Sequence, residues 1–298
     1  MTGPEAGDLA VVRRELGLGE HAAIQYDDDG WDSRVYLVNR GQAVFKFPRS
    51  PRTKHQYRCE LAVLDTLQAI DSPVLVPRVD WRSPDMEWFG YRGIVGQQLS
   101  YLLHGLNPTT KRSIGAAIGT FLRRMHASRV DGLPRVPIDA EIAEYQKKYR
   151  LAASALDALT ASEQSLAHSF FFEDLPSQMH RLGGQLCVTH GDLGPWNIIL
   201  TDDLRVGVID FGDVSYQDPS RDFAGFGDDI IFNAALESYD ADDWLREKAW
   251  LRIKAFPILD IPFYLGKHDN MRVQARLELI RRLIVRGEVS AARPLHGS

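Results

Sequence analysis

Three oxygen-bearing side chains, Asp192, Asn197 and Asp210, stand in the segments His190-Gly191-Asp192-Leu193-Gly194-Pro195-Trp196-Asn197 and Val208-Ile209-Asp210-Phe211-Gly212. A carboxylate in an H-x-D-x-x-x-x-N loop can take the proton of an acceptor hydroxyl. The Asn of that loop and the Asp of a following D-F-G can hold Mg²⁺ on a triphosphate. A hard Mg²⁺ takes one or two protein oxygens and fills its remaining positions with phosphate oxygens and water. The chemistry that this spacing points to is phosphoryl transfer, with Asp192 as base and Asn197 and Asp210 as magnesium ligands.

Such residues need elements that bring them to one rim. Ile198-Ile199-Leu200 and Val206-Gly207-Val208-Ile209 read as two short strands joined by the polar turn Thr201-Asp202-Asp203-Leu204-Arg205, a hairpin signal. Asn197 enters its first strand and Asp210 leaves its second, so the hairpin returns both ligands to one end. Asp192 lies upstream in an irregular Gly-Pro loop, free to face an acceptor. His190 reads as a scaffold residue of that loop, since a histidine there more often fixes loop geometry by hydrogen bonding than touches substrate.

The N-terminal third supplies a grip for the triphosphate. Arg34 to Asn39 and Gln42 to Phe47 are β-rich runs split by Arg40-Gly41, a second hairpin. Lys46 falls in the second strand, matching the strand-borne lysine that binds the α- and β-phosphates in protein kinases. Ser50-Pro51 opens a helix, with Ser as N-cap and Pro at its first position. Glu60 in that helix is placed to pair with Lys46. Tyr26 to Ser33 stands where a phosphate loop belongs, yet it holds only Gly30 and three successive Asp residues, and does not match G-x-G-x-x-G. Backbone N–H groups and the Ser33 hydroxyl remain as phosphate donors.

These motifs resemble the aminoglycoside phosphotransferase family, whose loop reads HGD where protein kinases have HRD, and whose D-F-G segment continues into an acidic-Pro-Asp-Phe pattern. Here that stretch runs Asp210-Phe211-Gly212-Asp213 through Gln217-Asp218-Pro219-Ser220-Arg221-Asp222-Phe223. Tyr36-Leu37-Val38-Asn39 with Phe45-Lys46-Phe47-Pro48-Arg49 looks most like the 2″-phosphotransferase branch, as does Gly90-Tyr91-Arg92-Gly93-Ile94-Val95-Gly96, which is similar to its interlobe hinge. The resemblance runs from about residue 20 to about residue 285. It implies an α+β, protein-kinase-like bilobal fold, with a β-rich N-lobe at 1–96 and a helical C-lobe at 97–298. It also implies ATP or GTP as phosphoryl donor, with Ser33, Lys46, Glu60, Tyr91, Gly93 and Ile94 on the nucleotide. Tyr91 at the entrance to the hinge would narrow the adenine position and so make GTP use possible. Related small-molecule kinases, including those for macrolides and choline, share the catalytic motif, which therefore fixes reaction type better than substrate.

Composition and charge bound the partners. The chain has 298 residues, 44% hydrophobic and 25% charged, enough to bury a substantial core in one bilobal unit or two domains. A net charge of −5 argues against nucleic acid. No apolar run approaches the roughly 18 to 20 residues of a spanning helix, and the N-terminus lacks the basic and apolar regions of a signal peptide. A cytoplasmic monomer without membrane contact is the expectation, with Cys59 and Cys187 as reduced thiols. From Asp222 to Leu245 there are seven carboxylates and no Lys or Arg, a segment that would attract a polycation. Asp228 and Asp229 are thus candidates for binding a small cationic acceptor, an aminoglycoside first. Asp260 and Tyr264, which follow Pro257 in a broken stretch, are further candidates. Helical spacing of Ile114, Ile118, Leu122 and Met125 predicts a core helix over 110–126, with His126 as a structural residue at its end. Residues 139 to 183 read as further helical segments. The alternatives are a kinase for a macrolide or an amino-alcohol metabolite, and a catalytically silent nucleotide-binding module. The whole set Lys46, Asp192, Asn197 and Asp210 argues against the last.

Overall fold

The structure is a computed structural model that describes residues 4–27 and 32–288. Asp28, Asp29, Gly30 and Trp31, most of the expected phosphate loop, lie outside the described residues.

Five antiparallel strands form the first layer: β1 (Ile24–Asp27), β2 (Ser33–Val38), β3 (Ala43–Pro48), β4 (Arg78–Arg82) and β5 (Phe89–Arg92), in the order β1-β2-β3-β5-β4. The β2–β3 hairpin turns through Asn39 and Arg40, both left-handed with φ of 49° and 58°, and Gly41 donates its N–H to Val38 O at 3.1 Å. Two successive positive φ values give the turn that matches strand twist. Alternation then decides the faces. Tyr36, Val38, Ala43, Phe45 and Phe47 pack with Trp88 and with Val12 of the N-terminal helix Ala6–Leu16. Val44 points to the opposite face, with Phe89 and Tyr91 and with Tyr57 and Leu61 of the helix Pro51–Gln68. Lys46, two residues on, shares that face. The helix starts as expected, its Ser50 cap accepting from the Thr53 N–H at 3.4 Å.

A short crossover leads from β5 to β6 (Gln97–Gln98), which pairs with β8 (Ile198–Leu200). β8 in turn pairs with β9 (Val206–Val208), so that β6-β8-β9 form a second sheet. β7 (Cys187–Thr189) pairs with β10 (Ser215–Gln217). The rest is mainly helical, and the fold is bilobal α+β. The helix Pro108–His126 runs closely against Asp229–Tyr239. A Cβ at Gly119 would meet Ala235 O at 2.1 Å and one at Gly115 would meet Ile231 O at 2.5 Å, so glycine there sets the interhelical distance. A second core gathers the helices Ile138–Leu151, Leu175–Leu182, Pro257–Gly266 and Asn270–Ile280. Among the described residues no helix is long and apolar enough to cross a membrane. Cys59 and Cys187 are free thiols.

Candidate active site

The loop that carries Asp192 is fixed from below. His190 is buried and its main-chain N–H donates to Asp222 Oδ2 at 2.8 Å, while the Gly191 N–H donates to Asp222 Oδ1 at 2.9 Å. The His190 ring bonds Ile209 O through Nε2 at 3.0 Å and accepts the Asp192 N–H at Nδ1 at 3.3 Å, a scaffold arrangement. Gly191 has φ of +86°, and a Cβ there would stand 2.4 Å from Asp213 O, so the loop and the segment after D-F-G touch where only glycine fits. Arg221 closes the other side, donating to Gly191 O at 3.0 Å.

Asp192 Oδ2 accepts from Trp196 Nε1 at 3.2 Å and from Asn197 Nδ2 at 3.0 Å, and Asn197 Nδ2 also reaches Asp192 O at 2.8 Å. With its amide nitrogen so engaged, Asn197 keeps Oδ1 as a potential metal ligand. Burial pushes the Asp192 carboxyl up to about 6. His190 and the Trp196 hydrogen bond oppose the rise, and the charges of Asp213 and Asp210 add to it.

The β8–β9 hairpin returns the chain as its polar turn predicts: Ile198 faces Val208, and Ile209 N donates to Asn197 O at 3.0 Å. Asp210 follows in a left-handed conformation, φ 64°, which turns its carboxylate toward β3. Lys46 Nζ stands 2.9 Å from Asp210 Oδ1 and 2.9 and 3.2 Å from the two Glu60 oxygens. Burial alone would lower the Lys46 pKa, but Asp210 and Glu60 hold it well above the ordinary lysine value. The Lys46 charge in turn holds Asp210 below the usual carboxylate range, while burial pushes Glu60 up. Asn197 and Asp210 together offer the small, all-oxygen donor set that suits Mg²⁺ on a polyphosphate.

One cavity of about 780 Å³ brings together Ser33, Lys46, Glu60, Asp192, Asn197, Asp210 and Asp260. The family model for the phosphotransferase enzyme family matches residues 23–256, a span that contains all of these except Asp260. The chain belongs to that family. It is 28% identical over 146 residues to an aminoglycoside 3′-phosphotransferase of Salmonella typhimurium, an alignment covering 48% of this chain and 52% of that protein. The chain thus spans about half the length of the curated relatives it matches. Among solved structures, the GDP complex of wild-type aminoglycoside 2′-phosphotransferase-IIIa superposes with a TM-score of 0.72 at 19% identity, covering 96% of this chain and 100% of that one. The streptomycin-ATP-APH(2″)-IIa ternary complex superposes at 0.65 with 21% identity, covering 94% and 99%. At these identities the structural likeness shows the fold.

Several of the expected site residues lie outside this cavity or are engaged elsewhere in the fold. Tyr91 is the penultimate residue of β5, opposite Val44, buried on the Lys46 face and outside the cavity lining. The Gly93 N–H is taken by Gln42 O at 3.0 Å, and a Cβ there would meet Gly41 O at 1.8 Å. Gly93 therefore serves a close backbone crossing, and its amide is not presented to a base. Ile94 packs over Gly207 of β9. Asp228 is the N-cap of Asp229–Tyr239, accepting from Ile230 N and Ile231 N, and pairs with Lys111 at 2.8 Å. Asp229 begins that helix, and neither residue lines the cavity. Asp222, counted with the acidic surface, is fully buried under the catalytic loop. Tyr264 packs against the second helical core, with Arg272 and Arg276 over its ring. Asp260 does reach the cavity but is paired with Arg276 at 2.7 Å.

Sequence reasoning missed Trp196, Asp213, Arg52 and Lys148, which also line the cavity. Asp213, directly after D-F-G, had a positional signal. Lys148, in the last turn of the helix Ile138–Leu151, had none.

Proposed function

We propose that this phosphotransferase moves the γ-phosphoryl of ATP or GTP to a hydroxyl of an aminoglycoside, as a cytoplasmic monomer. The observation that carries the reading is the convergence of Asp192, Asn197, Asp210 and the Glu60-paired Lys46 on one cleft. The nucleotide would lie between residues 1–96 and 97–298, with Lys46 and Ser33 on its phosphates. Asn197 and Asp210 would hold Mg²⁺, which neutralises charge on the triphosphate when bound. The acceptor hydroxyl would give its proton to Asp192 as its oxygen bonds the γ-phosphorus and the bond to the β,γ-bridging oxygen breaks. A carboxyl near 6 is ionised yet basic at neutral pH, the condition for a general base.

The aminoglycoside is favoured because Asp192, Asp213 and Asp260 supply carboxylates around the acceptor end of the cleft. It is also favoured because the curated relatives and several structural neighbours carry that name. The experiment is a nucleoside-diphosphate release screen of aminoglycosides and macrolides with ATP and with GTP. Turnover with an aminoglycoside supports the reading; turnover with macrolides alone replaces it by the macrolide alternative.

A further inference from the structure

Arg52 is a cation of the cleft to which the phosphoryl-transfer set gives no task. It stands in the first turn of Pro51–Gln68 and lines the main cavity with Lys46, Asp192 and Asp210. It also lines a neighbouring cavity of about 360 Å³ with Gly191, Asp192 and Asp213. Arg52 therefore stands at the junction of the two spaces, both of which Asp192 also lines.

Among the described residues Arg52 makes no hydrogen bond, ion pair or ring contact. The cations around it are engaged. Lys46 is shared between Glu60 and Asp210, Arg49 Nε donates to Ser33 O at 3.2 Å, Lys54 pairs with Glu87, and Lys148 lies 3.8 Å from Glu144. An unpartnered arginine on a surface is ordinary, but Gln56 sets this one apart. Gln56 stands one helical turn on, at i+4, and lines the same two cavities, yet its Oε1 is buried without a hydrogen-bond partner. An uncharged acceptor of this kind can hold one edge of a guanidinium and leave the other edge, with its charge intact, for a phosphate.

The transferring phosphoryl group spreads its charge over three equatorial oxygens and lies in line between the leaving oxygen and the attacking hydroxyl. Lys46, drawn to Glu60 and Asp210, is placed for the α- and β-phosphates. We propose that Arg52, steadied by Gln56 Oε1, is a second phosphate-binding cation that contacts the γ-phosphoryl group as it passes to the hydroxyl activated by Asp192. Arg52 exchanges no proton in this step: the O–P bond to the acceptor forms, the β,γ bond breaks, the hydroxyl proton goes to Asp192, and the guanidinium offsets negative charge. The inference rests on the phosphotransfer reading but not on the identity of the acceptor.

The test is calorimetric titration of the full-length protein with magnesium and ADP, and with magnesium and β,γ-imido ATP, with the guanine pair in parallel. Wild type, Arg52→Met, Arg52→Lys and Gln56→Leu are compared. Arg52→Met should leave diphosphate affinity and Tm unchanged and weaken triphosphate-analogue binding by about 10- to 100-fold, the worth of one charged hydrogen-bonding contact. Arg52→Lys should recover part of that loss, and Gln56→Leu should show a smaller loss of the same kind. A wild-type preference for the triphosphate analogue in Arg52→Met, or an equal loss for both ligands, overturns the assignment. Failure of the wild type to bind any nucleotide overturns the phosphotransfer reading, and this inference with it.

Discussion

Asp222 accepts the main-chain N–H of His190 at 2.8 Å, so a residue 32 positions downstream sets the conformation of the loop that presents Asp192. Its other oxygen takes the Gly191 N–H, and His126 Nε2 lies 3.0 Å from Oδ2 while its Nδ1 reaches the Tyr239 hydroxyl, also at 3.0 Å. Four residues earlier, Asp218 caps the turn Pro219–Phe223 and pairs with the fully buried Lys248 at 2.6 Å and Arg252 at 3.3 Å. Arg252 also takes both oxygens of Glu141, at 2.8 and 2.5 Å. The catalytic loop is thus tied through the 218–222 turn to the helices behind it.

Because each member of this network is buried and paired, removing one strands the others. Arg252→Met should destabilise the protein by about 3–5 kcal/mol, the cost of leaving buried charges without their partner. Urea unfolding followed by fluorescence measures it. A change below about 1 kcal/mol would mean that water reaches Glu141 and Asp218 in the variant.

Acid should undo the same network. Burial alone would raise Asp222 and Asp218, but the His126 hydrogen bond and charge for the first, and Arg252 and Lys248 for the second, hold both below the ordinary carboxylate range. A depressed folded pKa contributes stability that is complete above the unfolded value near pH 4 and is lost as pH falls through the folded value. The unfolding midpoint in urea should therefore fall steeply below about pH 4, and less steeply in Asp222→Asn. Parallel pH dependence in the two proteins would remove Asp222 as a source of the effect.

The roles proposed for Asp192 and Asp210 separate by what each substitution disturbs. Asp192→Ala should lower phosphorylation about 10²- to 10⁴-fold with nucleotide affinity nearly unchanged, because a general base does not hold the triphosphate. Asp210→Ala should weaken magnesium-nucleotide binding as well, and it frees Lys46 from one of its two carboxylates. Equal losses of nucleotide affinity in both variants would contradict the division.

What could be read from the chain, and what could not, follows from the range of the interactions. The hairpins about Arg40-Gly41 and 201–205, the Ser50 cap and the core face of Pro108–His126 are set by neighbours within a few residues, and their patterns are explicit in the sequence. The convergence of Asn197 and Asp210 was legible because they flank the β8–β9 hairpin, that of Asp192 because its loop leads into Asn197, and the Lys46–Glu60 pair because one strand and the helix after it carry them. Arg252 and Glu141 were not: they lie 111 residues apart, and isolated charged residues in helical runs read as solvated. The same default misplaced Asp222, whose burial depends on His126 and on the loop above it. Asp228 was misread for the opposite reason, since its neighbours hold a local cap signal that the count of carboxylates obscured.

Tyr91 is buried beside Lys46 on one face of the sheet and outside the cleft lining, so any effect on a bound base runs through the side chains packed in front of it. Tyr91→Leu should loosen that packing and change the ratio of kcat/KM for ATP to that for GTP by about tenfold in favour of ATP, within the range of a pocket-size effect. It should also cost stability, since an aromatic ring buried against Phe89 is removed. A ratio that stays at the wild-type value, with the variant folded, excludes Tyr91 as the selector.

Asp228 and Asp260 provide opposite expectations for a cationic acceptor. Asp228 spends its carboxylate on two helix N–H groups and on Lys111, so Asp228→Ala should lower stability by about 1 kcal/mol, the usual worth of an N-cap, and leave the acceptor KM unchanged. Asp260 lines the cleft and neutralises Arg276. Asp260→Asn would remove a negative charge and leave the Arg276 guanidinium uncompensated beside the acceptor, and like charges in a partly solvated site repel by several kcal/mol at about 4 Å. The KM for an aminoglycoside should rise more than kcat falls, the pattern of lost uniform binding, and the rise should shrink at high salt as the exposed part of the field is screened. A raised KM in Asp228→Ala with an unchanged one in Asp260→Asn would reverse this assignment and place the acceptor at the N-terminal end of the Asp229–Tyr239 helix.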